Sequence, residues 1–340
     1  MLDQMTPADL TLDKIMQRFN TDEAAREYLE RIRWPNGPVC PHCGNADGAK
    51  LYEIAANPER KVRAGLRECG ECKKQFTVTV GTIFEDSKIP LRKWLVAWYM
   101  LCTSKKGVSA KQIERMLDLG SYRSAWFLMH RIRYALSEPA FSTKLGEDGG
   151  TVEVDEAYVG GKPRKGAKEK AKPGRGTKKA PVLVLVERDG AARSMPVERV
   201  NAKTLKPAIR ENVDRSAKIM TDEWTAYGGI GEEFKGGHET VNHGAGEYAR
   251  DDVNTNTAES YFALLKRGVY GTFHHVSKTH LHRYCDEFSF RWTYREVTDG
   301  ERTRIGMARM NGKRLMLRQP KSPGGQNGVG RAVAEGLPER

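Results

Sequence analysis

The sequence predicts an α/β sheet domain preceded by a small metal-stapled module and an all-helical region. Three observations predict it. Strand-like and helix-like patterns alternate from residue 151 to about residue 295. Two C-x-x-C pairs, Cys40 with Cys43 and Cys69 with Cys72, lie upstream. Residues 84–137, between the two, read as helical throughout.

At 340 residues the chain is long enough for two or three modules with at least one full core. A formal net charge of +13 and a pI near 9.4 point to a polyanionic partner, because Lys and Arg gain by displacing counterions from phosphates. No apolar run reaches the roughly 18 residues of a membrane helix, so no membrane partner is expected. The start, MLDQMTPADL, lacks the basic and apolar stretches of a signal peptide. Tightly paired cysteines fit a reducing cytosol with metal-bound thiolates better than a disulfide framework.

The elements follow in order. Thr21 caps a helix through Ala24, Tyr28 and Ile32, which Trp34-Pro35-Asn36-Gly37 ends. Strand-like stretches at 51–54 and 76–80 accompany the cysteines. Two C-x-x-C turns point Cys40, Cys43, Cys69 and Cys72 at one tetrahedral Zn2+, a closed and therefore structural site. Gly44 and Gly70 let the backbone turn tightly around the sulfurs. The alternative is a set of unpaired, buried or redox cysteines. His42 falls between two ligands and reads as a surface residue, while Cys102 and Cys285 read as ordinary buried residues.

Helices are expected at 91–103, 109–117 and 121–135, with Trp94 and Trp98 as core anchors on the first. Leu119-Gly120 supplies the turn between the second and third. The third carries Arg123, His130, Arg131 and Arg133, with Trp126, Phe127, Met129 and Ile132 as its core side. That is the layout of a helix-turn-helix with a recognition helix for a DNA groove; the plain alternative is a bundle with a basic solvated face.

Downstream, strands are expected at 152–158, 182–187, 192–197 and 218–220, and helices at 203–212 and 257–266. The run 162–179 holds nine Lys or Arg and one Glu, so it cannot build a core; Lys162, Arg164 and Lys165 are candidate phosphate contacts. The last thirty or so residues, rich in Gly, Pro and Arg, read as a tail.

Three acids stand out: Asp155 in VEVDEAYVGGK, Asp222 in KIMTDEWTAYGG and Glu259 in NTNTAESYFALLKRG. Two-metal chemistry on phosphodiesters needs carboxylates, because Mg2+ is hard and prefers oxygen. Asp155 sits mid-strand and Asp222 at a strand end, where open α/β sheets present functional side chains. Lys266 shares a helix face with Glu259, small Ala263 lies between them, and the lysine suits a nucleic-acid backbone. Glu153 has the parity of Asp155 and reads as a rim or supporting acid; Glu156 faces the other way. Bland alternatives exist: Glu259 in a capping box with Asn256, and Asp222 as a helix N-cap. Asp251 and Asp252 rival Glu259. His274, His275, His280 and His282 form no specific metal motif, and their segment reads as DNA-facing or structural.

The order of the cysteine knuckles, GTIFEDSKIPLRKW, SAWFLMHRIR, VEVDEAYVGGK, TDEWTAY and NTAESYFALLKRGVYGTFHHVSKTHLHRYCDEFSFRW resembles bacterial insertion-sequence transposases of the zinc-ribbon DDE group related to eukaryotic Merlin elements. The resemblance spans roughly residues 20–295. It implies an α/β RNase H-like catalytic core preceded by a zinc ribbon and a helical, helix-turn-helix-like DNA-binding region. It implies two Mg2+ (or Mn2+) ions held by Asp155, Asp222 and Glu259; some relatives carry Asn at the third position. It further implies binding of terminal inverted repeats, strand cleavage, and transfer of the 3′-hydroxyl into target DNA. The partners implied are double-stranded DNA (element ends and target) and further copies of the chain in a homodimer or larger synaptic complex, at the nucleoid in the bacterial cytoplasm. The organisation expected is a helical arm at 1–37, a zinc ribbon at 38–82, the helical DNA-binding region at 84–140, the catalytic domain at 150–296 and a flexible basic tail at 305–340. Rival readings are an inactive DNA-binding regulator and a plain RNase H-type nuclease.

Overall fold

The structure is a computed structural model that describes residues 10–138, 143–160, 177, 179–241 and 253–317. Its described residues fall into two compact units: 10–103, 110–136 and 297–317 form one, and 104–109, 137–138, 143–160, 177, 179–241 and 253–296 the other.

The first unit begins with helices α1 (Leu12–Arg18) and α2 (Asp22–Arg33). Thr11 and Thr21 cap them, accepting from Lys14 N at 3.3 Å and Ala24 N at 3.2 Å. Strands β1 (Leu51–Ile54), β2 (Leu66–Cys69) and β3 (Gln75–Phe76) follow as an antiparallel sheet in that order. The expected strand at 76–80 stops at Phe76. Beyond it the chain makes turns (Val80 N to Thr77 O, 3.1 Å), and Val78 is buried there without pairing.

Helices α3 (Leu91–Thr103), α4 (Ala110–Met116) and α5 (Tyr122–Leu136) complete most of this unit. Trp94 and Trp98 are fully buried and their rings meet Phe84 at 5.1 and 5.8 Å, so both are core anchors. The last helix, Asp299–Ala308, packs on α3 and is capped by Thr298. Here the expected tail from residue 305 is corrected. Residues 305–308 are helical, Arg309 Nη1 donates to Leu136 O (3.1 Å) and Lys313 Nζ to Ala135 O (2.8 Å). Cations placed on the last carbonyls of α5 satisfy groups the helix leaves open. Composition hid this, because the stretch is rich in Arg and Gly and almost without an apolar stripe. Residues 318–340 lie outside the described residues.

The second unit holds β4 (Thr151–Val159), β5 (Ala180–Glu187), β6 (Ala192–Pro196), α6 (Ala202–Asn212), β7 (Lys218–Asp222), β8 (His238–Val241), α7 (Asn256–Gly268) and α8 (Leu281–Thr293). Its sheet runs β6-β5-β4-β7-β8. The pairs β6–β5 and β5–β4 are antiparallel; β4–β7 and β7–β8 are parallel. Alternating residues of β5 divide between two cores, as a pleated strand demands. Leu183 and Leu185 join Leu205 and Ile209 of α6, while Val182, Val184 and Val186 join Tyr261, Phe262 and Leu265 of α7 and Phe288 of α8. The histidine-rich segment thus leads into a structural helix. His280 is buried, whereas His274, His275 and His282 are exposed.

Candidate metal centres and nucleic-acid-binding surface

The cysteine knuckles are two turns brought together by the small sheet. Pairing of Leu51 with Cys69 fixes the second knuckle to the sheet, and Gly70 N donates to Lys50 O at 2.7 Å. Gly44 takes the left-handed conformation (φ 79°) that ends the first knuckle. In the second knuckle that position belongs to Lys73 (φ 57°), not to Gly70. Gly70 is needed for closeness instead, since a Cβ there would lie 3.1 Å from the Tyr52 ring.

The four sulfurs all lie within 4.8 Å of one another, with Cys40–Cys72 at 3.7 Å and Cys43–Cys69 at 3.6 Å. A tetrahedral zinc with ~2.3 Å bonds requires sulfur–sulfur edges of about 3.8 Å, so the donor set fits the ion. The backbone N–H of Cys72, with that of Glu71 and the Asn45 side chain, draws the Cys69 thiol down towards its thiolate, while, against the Asn45 N–H, burial and bonding to the other three sulfurs push its partner Cys43 up. His42 is exposed and reaches only Gln75 O, and Cys102 and Cys285 are buried singly.

In the α4–α5 pair the left-handed turn residue is Asp118 (φ 46°); Gly120 has an ordinary conformation. Arg123 is exposed on the first turn of α5. Arg131 and Arg133 are not on that surface, which corrects their assignment as DNA contacts. Arg131 is 5% exposed, donates to Glu85 O at 2.5 Å and lies over the rings of Trp94 and Phe127. Burial lowers it to about 10. Arg133 is 2% exposed. The reason is packing: α5 is buried almost all round from Leu128 onward, so its charges are drawn inward with it. Lys162, Arg164, Lys165 and the rivals Asp251 and Asp252 lie outside the described residues.

The three acids of the second unit come from adjacent elements. Parallel pairing sets Glu153 opposite Met220, where the ladder ends, and Asp155 and Asp222 each lie two residues beyond that pair on their own strands. Side chains two residues apart on a strand share a face, so the two carboxylates rise from neighbouring strands on the same face as Glu153 and Met220. Glu259 stands on the first turn of α7, exposed, and among the described residues no side chain bonds its carboxylate. Asp155 is half-buried and its carboxyl is pushed up to about 7. Burial is the main cause, opposed by the Glu156 N–H at 2.7 Å and reinforced by the charges of Glu156, Asp222 and Glu259. Asp155 therefore lies within electrostatic reach of both Asp222 and Glu259.

The bland alternatives fare poorly. Asp222 accepts from Trp224 N at 3.1 Å, which ends the strand in a turn, and the next short helical turn starts only at Thr225. Glu259 caps nothing, because α7 begins at Asn256 and the N–H groups of Thr257 and Ala258 are taken by Glu153. Glu156 points to the opposite core, where Tyr227 Oη donates to it at 2.6 Å. Lys266 is half-buried, with Nζ 5.7 Å from the Phe262 ring centre. The contribution of Arg188, which bonds Glu153 at 2.8 Å, escapes sequence reasoning; the one available signal was Glu153 itself, an acid between two valines.

Comparison with known proteins agrees with these motifs. Residues 148–293 match the ISXO2-like transposase domain, and residues 20–75 match the transposase zinc-ribbon domain. An uncharacterised protein in the transposable element ISH50 of Halobacterium salinarum is 30% identical over 289 residues, which cover 81% of this chain and 92% of that protein. No solved structure matches the chain. In the described residues no helix is long and apolar enough to cross a membrane. With a four-cysteine ribbon upstream and an acid-bearing α/β sheet downstream, the chain belongs to the ISXO2-like, zinc-ribbon family of insertion-sequence transposases.

Proposed function

We propose that the chain binds the terminal inverted repeats of its element, hydrolyses a DNA strand to expose a 3′-hydroxyl, and joins that hydroxyl to target DNA. The observation that carries the proposal is the gathering of three carboxylates, Asp155 and Asp222 on two neighbouring parallel strands and Glu259 on the first turn of a helix, near enough for the charges of Asp222 and Glu259 to add to the burial that raises Asp155. Gathered carboxylates repel one another, and their oxygens are the donors Mg2+ and Mn2+ prefer. Asp155, Asp222 and Glu259 would hold a pair of such ions, which supply Lewis-acid stabilisation of the phosphoryl oxygens and a more nucleophilic water or hydroxyl.

The chain itself orients the reacting strand. Lys266, two turns along α7 from Glu259, meets the phosphate backbone, and neighbouring parallel strands carry Asp155 and Asp222. The sheet order, three antiparallel strands continued by two parallel ones with Asp155 on the central strand, supports the RNase H-like reading. The α4–α5 pair with exposed Arg123 supports a helix-turn-helix role beside the ribbon in gripping the ends. Two ends must be joined together, so the working form is a dimer or larger assembly.

The deciding experiment is strand transfer of a pre-cut end oligonucleotide into plasmid with Mg2+ or Mn2+, for wild type and Asp222→Asn. Joined product from wild type alone is expected, with a loss of at least about 100-fold in the variant. Tight end binding by wild type with neither cleavage nor joining would replace the proposal with a DNA-binding regulator.

A further inference from the structure

Glu153 is fully buried, and a buried carboxylate is costly unless its oxygens are bonded and its charge is met. Both conditions hold. Oε2 accepts from Thr257 N at 2.8 Å and Ala258 N at 3.0 Å, while Oε1 accepts from Thr257 Oγ1 at 3.0 Å and Arg188 Nε at 2.8 Å. Arg188 Nη2 also donates to Asn254 O at 3.1 Å, just before α7. The first N–H groups of a helix have no partner within it, and Thr255, the residue before α7, offers no side-chain cap. A residue from a distant strand takes over that task, and its negative charge suits the helix N-terminus.

From this arrangement we infer that Glu153 is a positioning residue for Glu259. The inference rests on the reading of Asp155, Asp222 and Glu259 as the metal-holding acids. Glu153 and Asp155 are two positions apart on one face of β4. One strand therefore carries the first acid and straps down the helix turn that carries the third. Glu259 follows Ala258 directly, and its own N–H bonds Thr255 O at 3.0 Å, so the strapped turn is the turn that aims it. Glu153 is not itself a ligand, because each of its oxygens already receives two donors. Arg188 balances its charge and fixes the approach to the helix.

The test uses the full chain with its zinc in place. Mn2+ binding without DNA is followed by electron paramagnetic resonance of the free ion, and the Mn2+ midpoint is measured for joining of a pre-cut end. Glu153→Gln is expected to weaken Mn2+ binding about 10–100-fold and to raise the joining midpoint by a similar factor. Its joining rate should recover at saturating Mn2+, and its metal-free binding of end DNA should match wild type. Thr257→Ala, which removes one of the four bonds, should shift both midpoints the same way by less. A wild-type Mn2+ midpoint in Glu153→Gln with only a lowered melting temperature would make Glu153 merely structural. Should Glu153→Gln fail to fold, the Mn2+ midpoint of Thr257→Ala decides, and a wild-type value overturns the inference. Glu259→Gln separates the two levels. If it binds Mn2+ like wild type, the metal-site reading itself fails; if it loses Mn2+ while Glu153→Gln does not, only the positioning role fails.

Discussion

Arg123 and Arg131 read alike in the sequence as basic residues of one helix, yet burial separates them completely. Arg131 is held by Glu85 O and by the rings of Trp94 and Phe127; Arg123 is exposed at the helix start. Arg131→Ala is therefore expected to destabilise the helical unit by about 1–3 kcal/mol, measured by denaturant unfolding. Arg123→Ala should leave stability within about 0.5 kcal/mol, weaken end binding, and lower the log–log salt slope by about 1. Asp155 gives a pH prediction. Its folded value of about 7 lies above the ordinary 3.8, so ionising it destabilises the fold progressively as pH rises from about 4 through 7. Asp155→Asn should match wild type in melting temperature at pH 4. It should exceed wild type by roughly 4 °C or more at pH 8, in buffer without added divalent cation. An equal melting temperature at pH 8 would mean that neither burial nor the neighbouring acids raise Asp155 in the folded chain. The places of Asp155 within a strand and Asp222 at a strand end were legible, because strand parity and strand ends are written in residue order. The burial of Arg131 was not, because Trp94 and the Glu85 carbonyl that hold it lie 37 and 46 residues away in sequence.

At the scale of elements, strands β4 to β7 and helices α3 to α7 lie within two residues of where periodicity puts them, the widest differences being the start of β5 at Ala180 and the ends of β7 at Asp222 and α7 at Gly268. Such elements have a clean apolar period of two or 3.6. Strand β8, HETV, is short with one buried residue, and α8 buries Arg283, Glu287 and Arg291 among its aromatics, so neither carries that period. The helix Asp299–Ala308 was hidden for the same reason, and it makes a prediction. Because it packs on α3 and its sequel donates to carbonyls of α5, ending the chain at residue 296 removes part of a core, not a tail. That truncation should unfold or melt the helical unit by several degrees, whereas ending at residue 317 should leave melting unchanged. Circular dichroism of the two truncations distinguishes them; equal stability would mean that the helix contributes no packing.

The whole molecule threads one unit through the other in sequence, since residues 297–317 return to the unit that residues 10–103 begin. Both units belong to a chain of net charge +13, and the charge is uneven: 162–179 holds nine of the 57 Lys and Arg within eighteen residues. Each phosphate contact releases counterions and steepens the fall of log K with log salt by about 0.9. Deleting 162–179, with a short Gly-Ser bridge in its place, is therefore expected to flatten the slope for end DNA by several units. It should also lower affinity most at low salt. The specificity ratio between end and random DNA should stay within about threefold, because backbone contacts position a protein without reading bases. Fluorescence anisotropy across a salt series measures both quantities. An unchanged slope would mean that the basic run does not touch phosphate, and the polyanion partner would then be held by the ribbon, the α4–α5 pair and Lys266 alone.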